Sequence, residues 1–309
     1  MKFKSAEILK HYRVDAPDRF DLRSVDCADT CDLDKDKAGS ILADDVKRLS
    51  DWQERLYAEN KWALLIVLQG MDAAGKDSVI AHVMSGVNPQ GCEVHSFKVP
   101  SAEELDHTFL WRSSTRLPAR GRIGIFNRSY YEDVLVVRVH PELLERQKVP
   151  RTLIGKQIWQ ERFQDIRAFE RHLARNGVLV LKFFLHVSKE EQRRRFLDRL
   201  DEPAKRWKFS MNDINERKRW NDYMAAYEDM IRATSAPSAP WYVVPADHKW
   251  FARLVVAAAV VDALESLDLS FPKIEGAALE EMRKVRTALE AERPSRGRRR
   301  QGDKGSRNR

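Results

Sequence analysis

Cysteine is scarce in this chain: Cys27, Cys31 and Cys92 are the only thiols in 309 residues. So sparse and odd a set cannot build a disulfide scaffold, which points to a reducing compartment, and a cytoplasmic location is expected. Cys27-x3-Cys31 is not followed by a second Cys/His pair at zinc-site spacing, so a structural zinc is not expected. Long apolar runs are missing as well. Leu254–Val261 is among the longest and stops at Asp262, well short of the roughly 18 residues of a membrane span. The first twenty residues offer no apolar core for a signal peptide. The histidines are scattered without metal-ligand spacing, and neither a Gly-x-Ser-x-Gly elbow nor a His-Glu-x-x-His pair occurs, which argues against an elbow hydrolase and a zinc protease.

A uniformly basic surface is also lacking. The formal charge is +8, but residues 293–309 carry +7 of it through seven Arg and one Lys against one Asp. The near-neutral remainder argues against a dedicated nucleic-acid site, which normally shows a basic stripe. The tail has no large apolar residue and is expected to be disordered.

What is present is an alternation of apolar strands and amphipathic helices. Trp62–Gln69 is a continuous apolar run, as a central parallel strand buried on both faces requires. Glu93–Lys98, Arg122–Asn127, Val178–Val187 and Trp241–Pro245 read in the same way. Helical stretches are expected at Ile41–Asn60, Thr152–Asn176, Asp213–Ala233 and His248–Leu267. Ser101-x-x-Glu104 and Ser188-x-x-Glu191 have capping-box spacing. The pattern predicts an α/β fold of three layers, a five-stranded parallel sheet with helices on both faces. The first forty residues read as a loosely structured lead-in.

Directly after the first strand stands Gly70-Met71-Asp72-Ala73-Ala74-Gly75-Lys76-Asp77. Its G-x-x-x-x-G-K spacing, between a strand and a helix, is that of a phosphate-binding loop. Glycines let several N–H groups face one anion, the helix N-terminus adds its dipole, and Lys supplies a full charge. Asp77 replaces the Ser or Thr that usually holds Mg²⁺. Asp72, an acid among phosphates, is then the expected metal ligand, since Mg²⁺ prefers carboxylate and phosphate oxygens.

The third strand ends in Asn127-Arg128, followed by Ser129-Tyr130-Tyr131-Glu132-Asp133. Arg128 is expected to enter the same crevice as Lys76 and to stabilise charge on a transferring phosphoryl group. Asp133 is a weaker candidate for the metal. Two basic segments, one holding Arg112, Arg116, Arg120 and Arg122 and the other spanning Glu191–Phe209, are expected to flank the loop. Together they imply a ligand with more negative charge than one loop neutralises. The second sits where a lid would close.

Four stretches resemble the polyphosphate kinase 2 family: Leu64–Arg112, Arg122–Glu142, Arg195–Asp213 and Ala239–Leu254. The resemblance covers roughly Tyr12 to Leu267. It implies a P-loop kinase fold similar to thymidylate kinase, with a basic helical lid at about 190–212. The implied organisation is a lead-in at 1–40, a kinase domain at 41–270, a C-terminal helix at 271–292 and the tail at 293–309. The implied activity is reversible, direct in-line transfer of the terminal phosphoryl of inorganic polyphosphate to AMP or ADP with Mg²⁺, or alternatively Mn²⁺. Asp72, Lys76 and Arg128 match the catalytic positions, with Asp72 also the metal ligand. Gly70, Ala73, Ala74, Gly75 and Asp77 complete the phosphate loop. Arg195, Arg199, Lys205 and Lys208 match the region that binds the polyphosphate chain. Asn127 and Glu132 look like the branch that accepts AMP as well as ADP, and they are the expected selectivity residues. The partners implied are polyphosphate, adenine or guanine nucleotides, and a second or fourth copy of the chain, with no membrane. An ATP-dependent nucleoside monophosphate kinase is the alternative that the loop by itself would support.

Overall fold

The computed structural model describes residues 5–292, so the Arg-rich tail lies outside the described residues. The described chain divides after Phe271 into two units. In the first, the strands are β1 (Ala63–Gln69), β2 (Cys92–Ser96), β3 (Ile123–Asn127), β4 (Val178–His186) and β5 (Trp241–Pro245). They form one sheet in the order β2-β3-β1-β4-β5, with every pairing parallel. The helices of this unit are α1 (Ser5–Tyr12), α2 (Lys35–Glu59), α3 (Lys76–Val83), α4 (Ala102–Leu105), α5 (Trp111–Ser114), α6 (Val136–Val139), α7 (Ile158–Arg175), α8 (Lys189–Asp201), α9 (Met211–Lys218), α10 (Trp220–Thr234) and α11 (Lys249–Glu265). Helices α1, α2 and α3 pack with α11, while α7 lies on β4 and packs with α10. The three-layer α/β expectation holds.

All seven residues of β1 are buried, which is why the sequence shows no polar alternation there. β2 differs from its expectation. It is an edge strand with Glu93, Val94 and Ser96 exposed, so its mixed polarity reflects one open edge rather than a buried run. The lead-in is not loose either. Ile8, Leu9, Tyr12 and Val14 are buried in the core, and Val14 donates its N–H to Trp241 O at 2.9 Å. Helix α2 begins six residues earlier than its apolar spacing suggests because the Asp34 side chain caps the Lys37 N–H. The helix expected at Asp213–Ala233 is broken at Arg219 into α9 and α10.

The chain leaves β1 for the sheet edge at β2, returns through β3 and then crosses to β4. The carboxyl end of β1 is therefore where the strand order reverses, the place where such sheets bind ligands. The second unit contains α12 (Ala277–Ala291), whose Met282, Val285 and Leu289 are exposed.

Candidate active site at the meeting of two cavities

The loop Gly70–Lys76 caps the carboxyl end of β1. Its curl needs unusual backbone: Gly70 and Gly75 have φ of 152° and 112°, and Ala73, although not glycine, has φ of 63°. A side chain at Gly70 would lie 2.9 Å from Leu185 O, so the tight approach of the loop to β4 excludes any larger residue. Lys76 opens α3 and is buried, its Nζ donating to Gly70 O at 2.6 Å and Met71 O at 3.2 Å. Burial, and then the charge of Arg128, push its ammonium down to about 8 against the pull of Asp72, Glu132 and Asp77. A bound polyanion stabilises the ammonium and raises that value. An anion held by Lys76 would therefore be bound fully below pH about 8 and progressively less as pH rises above it. Binding of a polyanion, followed by calorimetry from pH 7 to 9.5, is expected to weaken across this interval. It should stay flatter in Lys76→Arg, whose guanidinium remains charged.

Arg128 reaches the loop from the tip of β3. It has φ of 62°, its Nη2 donates to Asp72 Oδ1 at 2.6 Å, and its Nη1 lies 3.6 Å from Glu132 Oε2. Those two carboxylates raise its pKa still further. Glu132 is held in turn by Gln69, whose amide, oriented to suit both neighbours, donates to Glu132 Oε1 at 3.0 Å and accepts from Ser129. Beneath this segment lies a buried polar knot. Tyr130 and Tyr131 each donate to Glu170 Oε1 at 2.8 Å. Lys182, wholly buried in β4, donates to Glu170 Oε2 at 2.6 Å and to Thr234 O at 2.8 Å. A buried pair with all partners satisfied costs much to break, so the turn carrying Arg128 is rigidly seated.

Two cavities open on this centre. One, of about 560 Å³, runs from the loop past Arg199, Lys205, Lys208 and Lys249. The other, of about 420 Å³, is lined by Arg112, Glu132, Asp213, Tyr223 and Tyr227 among others. Asp72, Arg128, Lys98 and Val99 line both. The first cavity carries a large excess of cations over its three acids, Asp72, Asp77 and Asp198. The second balances acids with cations and has an apolar side. That asymmetry fits a bare polyanion on one side and a ligand with both phosphate and a ring on the other.

Most expected site residues converge here. Asp72, Ala73, Gly75, Lys76, Asp77, Asn127, Arg128, Arg195, Arg199, Lys205 and Lys208 line the first cavity, and Gly70 and Glu132 the second. Ala74, within the loop, is buried. Asp77 turns to Asn127, whose Nδ2 donates to Asp77 Oδ1 at 2.7 Å. Arg195 stands apart, because its donors all point to protein acceptors. Asp133 also lines the second cavity, but its carboxylate is taken by Gln147 and Arg162, and burial raises its carboxyl to about 6.

The first basic segment is corrected. Arg112 does face the second cavity, but Arg120 donates to Lys61 O at 2.5 Å and Arg122 to Gln90 O at 2.7 Å. Standing before β3, both brace its amino end against those of β1 and β2, a strand length from the loop. The first cavity also takes in Lys98 and Lys249, which no motif marks, although each follows the carboxyl end of a strand, where the fold puts ligands. Tyr223 and Tyr227, four apart on α10, carry no sequence signal that separates them from core aromatics.

Residues 32–272 match the family model described as Polyphosphate kinase 2 (PPK2). The chain is 54% identical over 256 residues to an ADP-polyphosphate phosphotransferase of Rhodopseudomonas palustris, covering 82% of this chain and 89% of that one. It is 46% identical over 272 residues to an AMP/ADP-polyphosphate phosphotransferase of Meiothermus ruber, covering 87% and 98%. Among solved structures, a polyphosphate kinase 2 from Arthrobacter aurescens superimposes with a TM-score of 0.83 at 39% identity, covering 92% of this chain and 97% of that one.

Proposed function

The chain belongs to the polyphosphate kinase 2 family, and we propose from this premise that its two cavities seat donor and acceptor of one direct transfer. Inorganic polyphosphate lies in the cationic cavity with its terminal phosphoryl group at the loop, and AMP or ADP lies in the second. The carrying observation is that both cavities share Asp72 and Arg128. An anionic phosphate oxygen of the nucleotide attacks the terminal phosphorus, and the bond to the next bridging oxygen breaks, its electron pair leaving with the shortened chain. The nucleophile is already ionised at pH 7, so no general base is required. Lys76 and Arg128 neutralise the equatorial oxygens, while Arg199, Lys205 and Lys208 hold the chain behind them. Lys98, shared by both cavities, binds phosphate on either side.

Asp72 suits Mg²⁺. Among the described residues no three His, Cys, Asp or Glu form a metal cage. Mg²⁺, however, commonly takes one or two carboxylates and completes its shell with substrate phosphates and water. Asp72 offers such a carboxylate where both cavities meet, and Asp213, raised by burial and by the charge of Asp72, is the nearby second acid. The cation would add positive charge where donor and acceptor oxygens approach.

Initial rates with polyphosphate or ATP as donor, and AMP or ADP as acceptor, test the proposal. Polyphosphate is expected to serve and ATP to fail as phosphoryl source for AMP. Glu132 separates the acceptors further. Its carboxylate lines the acceptor cavity and repels the extra charge of ADP more than that of AMP. Glu132→Ala is expected to lower kcat/KM for AMP relative to ADP by a factor corresponding to about 1–3 kcal/mol. An equal loss for both would make Glu132 only a tether for Arg128.

A further inference from the structure

Helix α8 presents two polar side chains to the back of the phosphate loop, three residues apart and therefore on one helix face. Gln192 donates its Nε2–H to Asp72 O at 2.9 Å. Arg195 donates from Nη1 to Ala73 O and to Ala74 O, each at 2.9 Å. Three consecutive loop carbonyls are thus held from behind. Arg195 also donates from Nη2 to Ala246 O at 2.5 Å and Asp247 O at 3.0 Å, and from Nε to Glu191 Oε1 at 2.7 Å. A guanidinium has five N–H groups, and all five are committed to protein. Only 4% of the side chain is exposed. Gln192 is fixed in turn by Arg217, which donates to its Oε1 at 2.9 Å.

We infer that Gln192 and Arg195 are positioning residues that turn the loop carbonyls outward, so that its N–H groups face the donor phosphate, rather than ligands of the polyphosphate chain. A loop that binds an anion through backbone N–H groups must point its carbonyl dipoles elsewhere, or they repel the ligand. Ala73 supports this assignment. Its left-handed backbone is unfavourable for a residue with a Cβ and persists only where surroundings impose it, and Arg195 grips its carbonyl. The helix that does this runs directly into the turn carrying Lys205 and Lys208, so one element joins the loop to the donor-binding cations. This inference rests on the reading of Gly70–Lys76 as the donor's anion site.

Two variants, Arg195→Lys and Gln192→Met, test it by steady-state kinetics and by hydrogen exchange of residues 71–79 in the ligand-free protein. The expected result is a fall in kcat of about tenfold to a hundredfold, as displacement of a positioned group by an ångström produces. KM for polyphosphate should change less than threefold, equally for short and long chains and at low and high salt. Exchange in the loop should accelerate in both variants. Adding Ala73→Gly, which removes the backbone strain, should recover part of the kcat lost in Arg195→Lys. A KM that rises with chain length and salt, with kcat and loop exchange unchanged, would overturn the assignment and make Arg195 a polyphosphate ligand. The exchange measurement needs no turnover. Failure of the wild-type protein to use polyphosphate would therefore refute the functional reading separately from this one.

Discussion

Arg128→Ala is expected to lower kcat by about 10³–10⁵, the scale of an arginine that neutralises a transferring phosphoryl group. The charge is delivered by a side chain already anchored to Asp72 at 2.6 Å and facing both cavities, so little reorganisation is needed at the moment of transfer. Its loss also leaves Asp72 and Glu132 without their counter-ion among phosphates, adding repulsion to the missing attraction. Arg128→Gly is the informative companion. At φ of 62° glycine is relieved of strain that any side chain feels, so Arg128→Gly should be more stable than Arg128→Ala, which loses the same ion pairs, while activity is equally lost. Thermal unfolding beside kcat/KM for each substrate checks both halves. Arg128→Lys should fall between wild type and Arg128→Ala, since an ammonium keeps the charge but loses the planar fork that spans two oxygens.

Lys76→Ala is expected to cost about 10²–10⁴ in kcat/KM for polyphosphate, as loss of one preorganised charge at a phosphoryl centre does. The ammonium donates to the carbonyls of Gly70 and Met71. A phosphate oxygen is a stronger acceptor for an ammonium than a neutral carbonyl, so the lysine would gain by turning to a polyanion. The variant should remain folded, because removing Lys76 takes away a buried cation whose charged form burial disfavours. Initial rates over a range of polyphosphate concentrations, alongside circular dichroism of the variant, distinguish a damaged site from a damaged fold.

How far the sequence carries the fold depends on whether its cause is local. β1, the loop and α3 are legible because the apolar run, the glycines and the lysine are contiguous and each has a mechanical reason at its own position. The three-layer sheet follows from repeated strands and helices. The edge position of β2 is not legible in the same way, since it depends on which strand pairs with which. Nor is the order of the first forty residues, whose buried Ile8, Leu9 and Tyr12 are too few and too spread to stand out from their charged neighbours.

The site follows the same division. The meeting of Asp72, Lys76 and Arg128 in one cavity is legible from motif and strand tip. Arg120 and Arg122 look equivalent to Arg112 in a basic stretch, yet the turn before β3 carries them to the far end of the sheet. Arg195 looks like one more cation of the lid, and only its bonds to residues about 120 and 50 positions away in sequence reveal a different task. The pairing of Asn127 with Asp77 is likewise set by two strand ends brought side by side. Such contacts span the chain, and no window of sequence contains them.

The central claim is that donor and acceptor meet directly across Asp72 and Arg128. Radiolabelled polyphosphate, mixed with the enzyme and Mg²⁺ in a rapid quench with and without AMP or ADP, tests it most directly. The account predicts label in ADP or ATP from the first turnover and no label on the protein when nucleotide is omitted. Acid- or base-labile label retained on the protein, passed to nucleotide in a later step, would contradict it.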